Sequence, residues 1–431
     1  MSGYSNAPVR RRNRNGHAAL LLIVAALCAV LFACTGSNSS NPSTPPIQAR
    51  ALQAAADYTV GSLSAPPGVS PFFLKTVIGD LDGDGRNDVA TFTNWTINGS
   101  DVVVLYQGQS GELTRFVSFN SFSDLGLDAV RDIAVGDLNG DGRADLAILG
   151  SPLPVTIGNG PQLAVLYQDS TGNFKPPVRY TITNQSFSLG LRLAIGDVNS
   201  DGRNDIVFSG SPMRVMLQDS DGSLGTDAVS LFTVNAFTTM LGEVQIADMD
   251  ADGRNDIVFQ AGDKSLGILR QIAPGVFAGT PDIYPVVTSY WSSFHTFKVG
   301  DVNGDGKPDV VVADPGNSGY LNIFLQNNGG TLDAPQLVSV TFNYVTGISI
   351  ADIDKDGLND LVCETGPWLQ VFHQKADRSF EAPILYHLPT QTIGDPLSPQ
   401  SMSVGDVNGD GWPDAVVGFL DEGIFVMFNA P

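Results

Sequence analysis

The chain has 431 residues, of which 45 are acidic and 23 are basic, so its formal net charge is −22. A balance this acidic excludes the class of nucleic-acid-binding proteins, which need a basic stripe to neutralise phosphates. The acidity is concentrated, because seven short loops hold 24 of the 45 acidic residues and the remainder nearly balance the 23 basic ones. The charge therefore indicates bound cations rather than an acidic tail.

The first 34 residues have the composition of an export signal. Four arginines between positions 10 and 14 precede an apolar run from Ala18 to Phe32, which at 15 residues is shorter than the roughly 20 residues of a typical membrane-spanning helix. The run leads into Leu31-Phe32-Ala33-Cys34, which resembles a bacterial lipobox and predicts lipidation of Cys34. We expect an exported lipoprotein, anchored to the outer membrane or cell surface through Cys34. An ordinary cleaved signal and an uncleaved anchor are the alternatives.

The rest of the chain divides into a tether and one folded domain. Residues 35–55 are rich in Ser, Pro and Asn and are predicted to be flexible, whereas residues 56–431 are predicted to fold. Cys34 and Cys363 are the cysteines left after signal cleavage, so no disulfide is expected. Cys363 lies in an apolar run and is interpreted as a small core residue.

One acidic frame, Asp-x-Asp/Asn-x-Asp-Gly-x-x-Asp, recurs seven times along this domain. Successive copies are 51 to 60 residues apart, with a mean period of about 54 residues, which is typical of a repeat architecture. We number the loops 1 to 7, and they begin at Asp80, Asp137, Asp197, Asp248, Asp301, Asp352 and Asp406.

Each loop has the ligand order of a calcium site. Positions 1, 3, 5 and 9 always carry Asp or Asn, and position 6 is always Gly, as in the first part of an EF-hand loop, where position 7 adds its backbone carbonyl. A turn without metal is the alternative, because Asp, Asn and Gly also favour tight turns. Four fixed oxygen positions in seven copies favour calcium, up to seven ions. The predicted ligands are Asp80, Asp82, Asp84, Arg86, Asp88, Asp137, Asn139, Asp141, Arg143, Asp145, Asp197, Asn199, Asp201, Arg203, Asp205, Asp248, Asp250, Asp252, Arg254, Asp256, Asp301, Asn303, Asp305, Lys307, Asp309, Asp352, Asp354, Asp356, Leu358, Asp360, Asp406, Asn408, Asp410, Trp412 and Asp414.

Position 4 separates two loops from the others. It is Gly or Ser in five loops, but it is Ala251 in loop 4 and Lys355 in loop 6. Weaker calcium binding is therefore expected in loops 4 and 6.

The segments around the loops predict an all-β fold. Short β-branched runs flank each loop, and a third run often ending in Gln and a fourth run complete a four-stranded antiparallel unit. Seven such units predict a seven-bladed β-propeller. The last repeat lacks a fourth strand, so residues near 56–60 are predicted to complete it and close the ring. The strand before each loop ends in Gly or Ala and is predicted to line the central channel.

The Gly-Asp-x-Asn-Gly-Asp-Gly-x-x-Asp frame resembles the FG-GAP/VCBS repeat family, which includes the calcium-binding blades of the integrin α-subunit head. The resemblance covers roughly residues 56–431. It implies a calcium-binding propeller and, by analogy with the integrin-like members, ligand binding on the face opposite the calcium loops. Adhesion modules, lectin-like proteins and accessory domains of secreted enzymes all occur in this superfamily.

The sequence contains no Gly-x-Ser-x-Gly, His-Glu-x-x-His or phosphate-loop motif, and no catalytic residue is predicted. Long connections on the face opposite the calcium loops contain Trp95, Tyr290 and Trp291, which are predicted to bind ligand. The leading hypothesis is a monomeric binding or adhesion module for an extracellular glycan or protein. The alternatives are a polysaccharide lyase or hydrolase on the same scaffold and a non-catalytic envelope scaffold.

Overall fold

The computed structural model describes most of the predicted domain and little of what precedes it. Cys34, Trp95, Tyr290 and Trp291 lie outside the described residues, so the predictions made for them stay predictions. The described residues are 10–11, 52, 56–59, 73–93, 99–152, 160–182, 191–210, 212–225, 229–232, 242–262, 264–287, 296–313, 319–342, 345–388, 402–419 and 423–429.

Seven antiparallel sheets form the seven predicted blades; strand neighbours follow chain order in blades 1 to 6, whereas in blade 7 a strand from the start of the domain pairs with the last strand of the chain. Strands β1 (Arg10–Arg11) and β2 (Ala56–Thr59) belong to blade 7. Blades 1 to 3 comprise β3 (Phe73–Gly79), β4 (Asp88–Thr93), β5 (Asp101–Gln107), β6 (Leu113–Asn120); β7 (Leu127–Gly136), β8 (Asp145–Pro152), β9 (Gln162–Leu166), β10 (Val178–Thr181); and β11 (Leu193–Gly196), β12 (Asp205–Phe208), β13 (Met213–Met216), β14 (Val229–Phe232). Blade 4 comprises β15 (Val244–Ala247), β16 (Asp256–Gln260), β17 (Ser265–Leu269) and β20 (Asp282–Pro285), with a hairpin of β18 (Gln271–Ala273) and β19 (Val276–Phe277) between β17 and β20. Blades 5 to 7 comprise β21 (Thr296–Gly300), β22 (Asp309–Ala313), β23 (Tyr320–Phe324), β24 (Gln336–Ser339); β25 (Gly347–Ala351), β26 (Asp360–Thr365), β27 (Trp368–Phe372), β28 (Ile384–His387); and β29 (Met402–Gly405), β30 (Asp414–Phe419), β31 (Gly423–Met427).

The core lies between adjacent blades. The middle strands β4 and β5 are buried at every position, because a neighbouring sheet covers each of their faces. At the seam of blades 7 and 1, for example, Val89 and Leu105 pack against Val416 and Val426. The outer strands β10, β20 and β24 are mostly exposed, whereas β6 buries Leu113, Phe116, Val117 and Phe119. Apolar runs in the middle strands therefore stack the seven sheets face to face around the ring. Cys363, buried in β26, is a core residue as predicted.

The ring closes as the sequence predicts. Strand β2 pairs antiparallel with β31, with Ala56 opposite Val426 and Tyr58 opposite Ile424. This pairing gives blade 7 its fourth strand and covers an edge that would otherwise be open. Strand β1 pairs in turn with the outer side of β2.

The first strand of every blade lines a central cavity of about 420 Å³. The terminal glycines of these strands allow close packing: a Cβ atom on Gly136 would lie 2.7 Å from Ile195 Cγ2 of the next blade, and one on Gly79 would lie 2.7 Å from Val135 Cγ1. A methyl group cannot be accommodated at such distances without movement of the neighbouring strand.

Three local features differ from expectation. The connection from residue 121 to 130 is largely ordered, as a π-helical turn (Ser121–Leu125) and the start of β7. The turn is capped by Asn120, whose side chain accepts hydrogen bonds from the amides of Phe122 and Ser123. The Gln predicted to end the third strand stands beyond it in several blades, in isolated bridges such as Gln168 with Phe174. The hairpin in blade 4 was not predicted.

No helix in the described ranges is long and apolar enough to cross a membrane.

Candidate metal centres and the far face

The seven loops connect the first and second strands of their blades and all lie on one face of the ring, the loop face. Position 1 organises each loop. In loop 1 the amides of Gly83 and Gly85 donate to the two carboxylate oxygens of Asp80, at 2.6 and 2.9 Å. The amide of position 6 makes the same bond in all seven loops. The backbone therefore wraps around one carboxylate, as the predicted ligand order requires.

Loops 4 and 6 depart from this pattern at position 4. The position 4 amide donates to position 1 in loops 1, 2, 3, 5 and 7, and among the described residues no such bond forms in loops 4 and 6. Ala251 and Lys355 adopt positive φ angles of 61° and 57°, but so does Ser200 in loop 3, at 61°, so this backbone strain does not distinguish loops 4 and 6. The missing hydrogen bond provides a physical reason for the expected weaker binding.

Position 9 holds the loop to the rest of its blade, a role that the sequence analysis missed. The Asp88 carboxylate is fully buried and accepts the amide of Leu81 on one oxygen and the amide of Gln107 on the other, both at 2.8 Å. The same pair of bonds recurs in every loop. Each position 9 carboxylate therefore joins its loop to the end of the third strand. The amide of the Gln at that end donates to this carboxylate, which explains why the Gln stands beyond the third strand in several blades.

Burial makes these carboxylates difficult to ionise in the absence of a cation. Burial, partly offset by the two amide bonds, raises the pKa of Asp88 and Asp414 to about 7. The same causes raise the pKa of Asp145, Asp205 and Asp309 to about 6. A nearby dication favours the charged form of such a group. The electrostatics of these loops therefore suit a bound metal ion.

Two buried oxygens at position 3 test whether the loops fit calcium. Asp82 Oδ1 in loop 1 and Asn303 Oδ1 in loop 5 are inaccessible to solvent and have no hydrogen-bond partner among the described residues. A buried polar atom without a partner costs about 1–3 kcal/mol, and oxygen coordination of a hard cation would satisfy it. In loop 1, oxygens of Asp80, Asp82 and Asp88 lie within 4.8 Å of one another. The donor set therefore fits calcium.

The other predicted ligands are placed less uniformly. Oxygens of positions 1, 3 and 5 come together in loop 4 (Asp248, Asp250, Asp252) and in loop 6 (Asp352, Asp354, Asp356). At position 7, the basic side chain pairs with the position 5 carboxylate in loops 1 to 5, as Arg86 does with Asp84. These pairs are partly exposed and contribute little to stability.

Side-chain amides link each loop to the preceding blade. Position 8 Asn side chains donate to the position 1 carbonyl of the neighbouring loop, as Asn87 does to Asp406 at 2.9 Å. The residue after the third strand donates to a loop carbonyl of the preceding blade in the same way, as Gln326 does to Met249 at 2.6 Å and Asn429 to Ile353 at 2.6 Å. At least one such bond crosses every seam, so the seven loops form one connected ring.

In two blades a basic side chain from the end of the third strand contacts the position 9 carboxylate. The residue before the linking Gln or Asn is Tyr or another apolar residue in five blades, namely Tyr106, Tyr167, Leu217, Leu325 and Phe428. In blade 4 it is Arg270, whose Nη1 lies 2.9 Å from Asp256 Oδ2. In blade 6 it is His373, whose Nδ1 lies 3.0 Å from Asp360 Oδ2. The hydrogen bond with Asp360 raises the pKa of His373.

The far face, opposite the loop face, consists of the connections between second and third strands and between blades. Most of these connections lie outside the described residues. In the described part, Phe342 and Trp368 stack at a centroid distance of 5.3 Å, with ring planes 18° apart, and His387 meets the edge of Trp368 at 4.7 Å. Both stacked rings are half-buried. The sequence analysis missed this cluster, because Phe342 lies in an inter-blade connection 26 residues before Trp368.

The central channel contains charged residues that are paired. Lys75 Nζ lies 2.6 Å from Asp132 Oδ1, and Lys298 Nζ lies 3.3 Å from Glu243 Oε1. Burial alone would raise the pKa of Glu243, but Lys298 and the amide of Phe297 hold it below its ordinary value. The described channel residues therefore form structural ion pairs between blades rather than a free acid and base.

Comparisons with solved structures agree with the propeller fold. A lectin from Agrocybe aegerita that recognises non-reducing terminal N-acetylglucosamine is 19% identical, with 78% of this chain and 89% of that chain covered and a TM-score of 0.51. BBS1N, solved in complex with ARL6DN, is 12% identical, with 88% and 99% covered and a TM-score of 0.52. The exotype rhamnogalacturonan lyase YesX is 14% identical, with 85% and 75% covered and a TM-score of 0.49. At these identities the likeness to the lectin and to BBS1N shows the fold alone.

A family comparison identifies the repeats. The FG-GAP-like repeat model matches residues 80–148, 197–259, 248–312 and 301–363, which together make up more than half of the chain. The matched stretches span loops 1 to 6 and the strands around them. The repeating acidic frame, the seven four-stranded blades and this match lead to one conclusion: the chain belongs to the FG-GAP-like repeat family.

Proposed function

We propose that this propeller is a calcium-stabilised, exported binding module that recognises an extracellular glycan or protein through its far face. The observation that carries the proposal is the stack of Phe342, Trp368 and His387 on that face. Half-buried aromatic rings with a polar neighbour are a common surface for sugar rings and protein anchors. Among the described channel residues, Lys75 and Lys298 are each paired with a carboxylate.

The stack is held in place by its surroundings, which suits a preformed binding surface. The amide of Thr341, next to Phe342, donates to Gln370 Oε1 at 2.7 Å. Gln370 in turn donates to Thr365 Oγ1 at 2.9 Å, across the turn that leads into Trp368. A surface that is ordered before binding loses little conformational entropy when the ligand arrives.

A glycan-array screen, followed by turnover assays on every hit, tests the binding role. We expect binding without turnover, and Trp368→Ala should weaken it at least about tenfold, because truncating an aromatic anchor costs more than about 1–2 kcal/mol. The control is Ile272→Ala, an exposed apolar residue on the hairpin of blade 4, which should leave affinity unchanged. Turnover of a polysaccharide would favour the lyase or hydrolase alternative. Unchanged affinity after Trp368→Ala would exclude this surface.

Calcium supports the scaffold in this proposal. The unpartnered oxygens of Asp82 and Asn303 support it, and loops 1, 2, 3, 5 and 7 have the complete position 1 hydrogen bonding. At about 1 mM calcium and a Kd of about 0.1 mM, each site would contribute about 1.4 kcal/mol. Calorimetric titration of chelator-treated protein should show at least five equivalents and a marked rise in Tm. No binding and an unchanged Tm would contradict a structural role for calcium.

Export and anchoring complete the proposal. They rest on the predicted signal and on Cys34, which precede the described domain. Metabolic labelling with a radioactive fatty acid in a bacterial host, compared between the wild type and Cys34→Ser, would test lipidation. Label that persists in Cys34→Ser would count against this anchor.

A further inference from the structure

Loop 6 differs from the other loops in the kind of ligand atom that it offers. His373 Nδ1 lies 3.0 Å from Asp360 Oδ2 and 3.5 Å from Asp354 Oδ2. The three ligand atoms lie within 4.8 Å of one another. Asp360 is buried and the His373 side chain is only 11% exposed. This is a compact set of one imidazole nitrogen and two carboxylate oxygens.

The distances suit a small four-coordinate metal ion. Zinc binds imidazole nitrogen at about 2.0–2.1 Å and carboxylate oxygen at about 2.0–2.2 Å, so a nitrogen and an oxygen ligand of a tetrahedral site are about 3.3–3.5 Å apart. The distance from His373 Nδ1 to Asp354 Oδ2 falls in that range. The 3.0 Å distance to Asp360 Oδ2 is a hydrogen-bond distance that would lengthen by about 0.3 Å on metal binding. Imidazole is a ligand of zinc and other transition metals, whereas calcium takes oxygen ligands. The donor set therefore favours a transition-metal dication over calcium.

The side chain of Lys355, the cationic residue of loop 6, does not occupy the site between His373, Asp354 and Asp360. Lys355 at position 4 extends towards blade 7, where its Nζ lies 4.7 Å from the ring centroid of Trp412. By contrast, the equivalent place in loop 4 is filled by Arg270, which has no acceptor atom to offer a metal. Loop 6 is thus the loop in which the residue beside position 9 adds a ligand.

We propose that loop 6 binds one transition-metal dication, of the zinc class, through His373 Nδ1, Asp354 and Asp360. The proposal deepens the proposed function and rests on it only in assigning cations to the loops. The remaining coordination positions are open to Asp352, Asp356 or solvent. The propeller would then hold two kinds of metal, with calcium in oxygen-only loops and the transition metal in blade 6.

The test is a Co²⁺ and Zn²⁺ titration of the full-length protein in excess calcium. We expect one equivalent of Co²⁺ to give the visible absorption of a low-symmetry site, and Zn²⁺ to displace it. His373→Asn retains a hydrogen-bond donor beside Asp360 but loses the metal ligand. It should weaken binding by more than the roughly 10–100-fold that loss of an outer-shell partner costs. His295→Asn, at a histidine outside loop 6 that belongs to no proposed site, is the control and should bind the metal like the wild type.

Equal binding by both histidine variants would overturn the proposal. X-ray absorption at the zinc edge of the loaded wild type provides a readout that does not require the variants to fold. An imidazole in the ligand shell supports the site, and an oxygen-only shell overturns it. Calcium binding without zinc binding would reject this inference and leave the proposed function intact. Zinc binding without calcium binding would support this inference and contradict the structural role of calcium in the proposed function.

Discussion

The aspartate at position 9 acts as a structural group as well as a candidate ligand. Its carboxylate is buried and accepts two backbone amides from separate parts of the blade, as Asp88 does from Leu81 and Gln107. At position 5, by contrast, Asp84 is partly exposed, and among the described residues its carboxylate bonds to Arg86 of its own loop. The two positions are alike in the repeat sequence and differ in what they support.

Substitutions at these two positions should separate the roles. Asp88→Asn places an amide NH₂ against a backbone N–H group, so we expect a loss of about 1–3 kcal/mol in unfolding free energy with or without calcium. Asp84→Asn keeps an oxygen acceptor and should cost little in chelator but reduce the calcium-dependent gain. Urea unfolding in calcium and in EGTA measures both. A cost for Asp88→Asn that vanishes in EGTA would mean that position 9 acts only through the metal.

The loop residues could be predicted from the sequence, but their partners elsewhere in the blade could not. The period and the four oxygen positions predict the loops, because ligand order is local in sequence. The partners of position 9 are not local, since Gln107 follows Asp88 by 19 residues and its amide carries no side-chain signal. Arg270 and His373 were missed for the same reason. Aligning the repeats at the Gln after the third strand would have revealed a base before it in repeats 4 and 6 alone.

At the scale of the loop, Arg270 supplies loop 4 with a cation of its own. Its guanidinium contacts Asp256 at 2.9 Å and Asp282 at 3.1 Å, lies 4.0 Å from Asp250, and donates to the Gly330 carbonyl at 2.6 Å. Arginine stays charged at any physiological pH. A dication in loop 4 would therefore meet both a fixed positive charge and an occupied position 9 carboxylate.

Calcium stoichiometry should reflect this difference between loops. Equilibrium dialysis should show one equivalent fewer for Asp301→Asn in loop 5 than for the wild type, and no change for Asp248→Asn in loop 4. Arg270→Met should add an equivalent, because it removes the internal cation and leaves an apolar residue as in five other blades. The loss of an equivalent in Asp248→Asn would show that loop 4 binds calcium despite Arg270.

At the scale of the whole molecule, the blades were predictable because their pattern repeats, and the ring closure because one strand was missing at one end and available at the other. Strand β2 (Ala56–Thr59) pairs with β31, so the residues predicted to complete blade 7 do so. The hairpin β18–β19 in blade 4 pairs Gln271 with Phe277, at the place where four other blades form a single bridge such as Gln168 with Phe174. A second pair, Ala273 with Val276, extends the bridge to a hairpin there, and the repeat pattern does not predict that pair. The hydrogen bonds from side-chain amides to loop carbonyls of the neighbouring blade could not be predicted either, because the closed ring brings those residues together.

Removing the closing strand should weaken the entire ring. A chain that begins at residue 61 leaves the edge of β31 unpaired, and we expect a lower Tm and concentration-dependent association through that edge. A chain that begins at residue 51 keeps β2 and serves as the control. Thermal unfolding and light scattering compare the two. Equal Tm values and a monomeric shorter chain would show that β2 contributes little to closure.

The direction of β2 has a consequence for how the molecule is displayed. Ala56 lies opposite Val426, next to the end of β31 that approaches the loop face, whereas Tyr58 lies nearer the far face. The polypeptide therefore enters the propeller from the loop-face side. A lipid on Cys34, 22 residues earlier in the chain, would suspend the disc from that side. The aromatic stack of blade 6 would then face away from the bilayer, where an extracellular ligand could reach it.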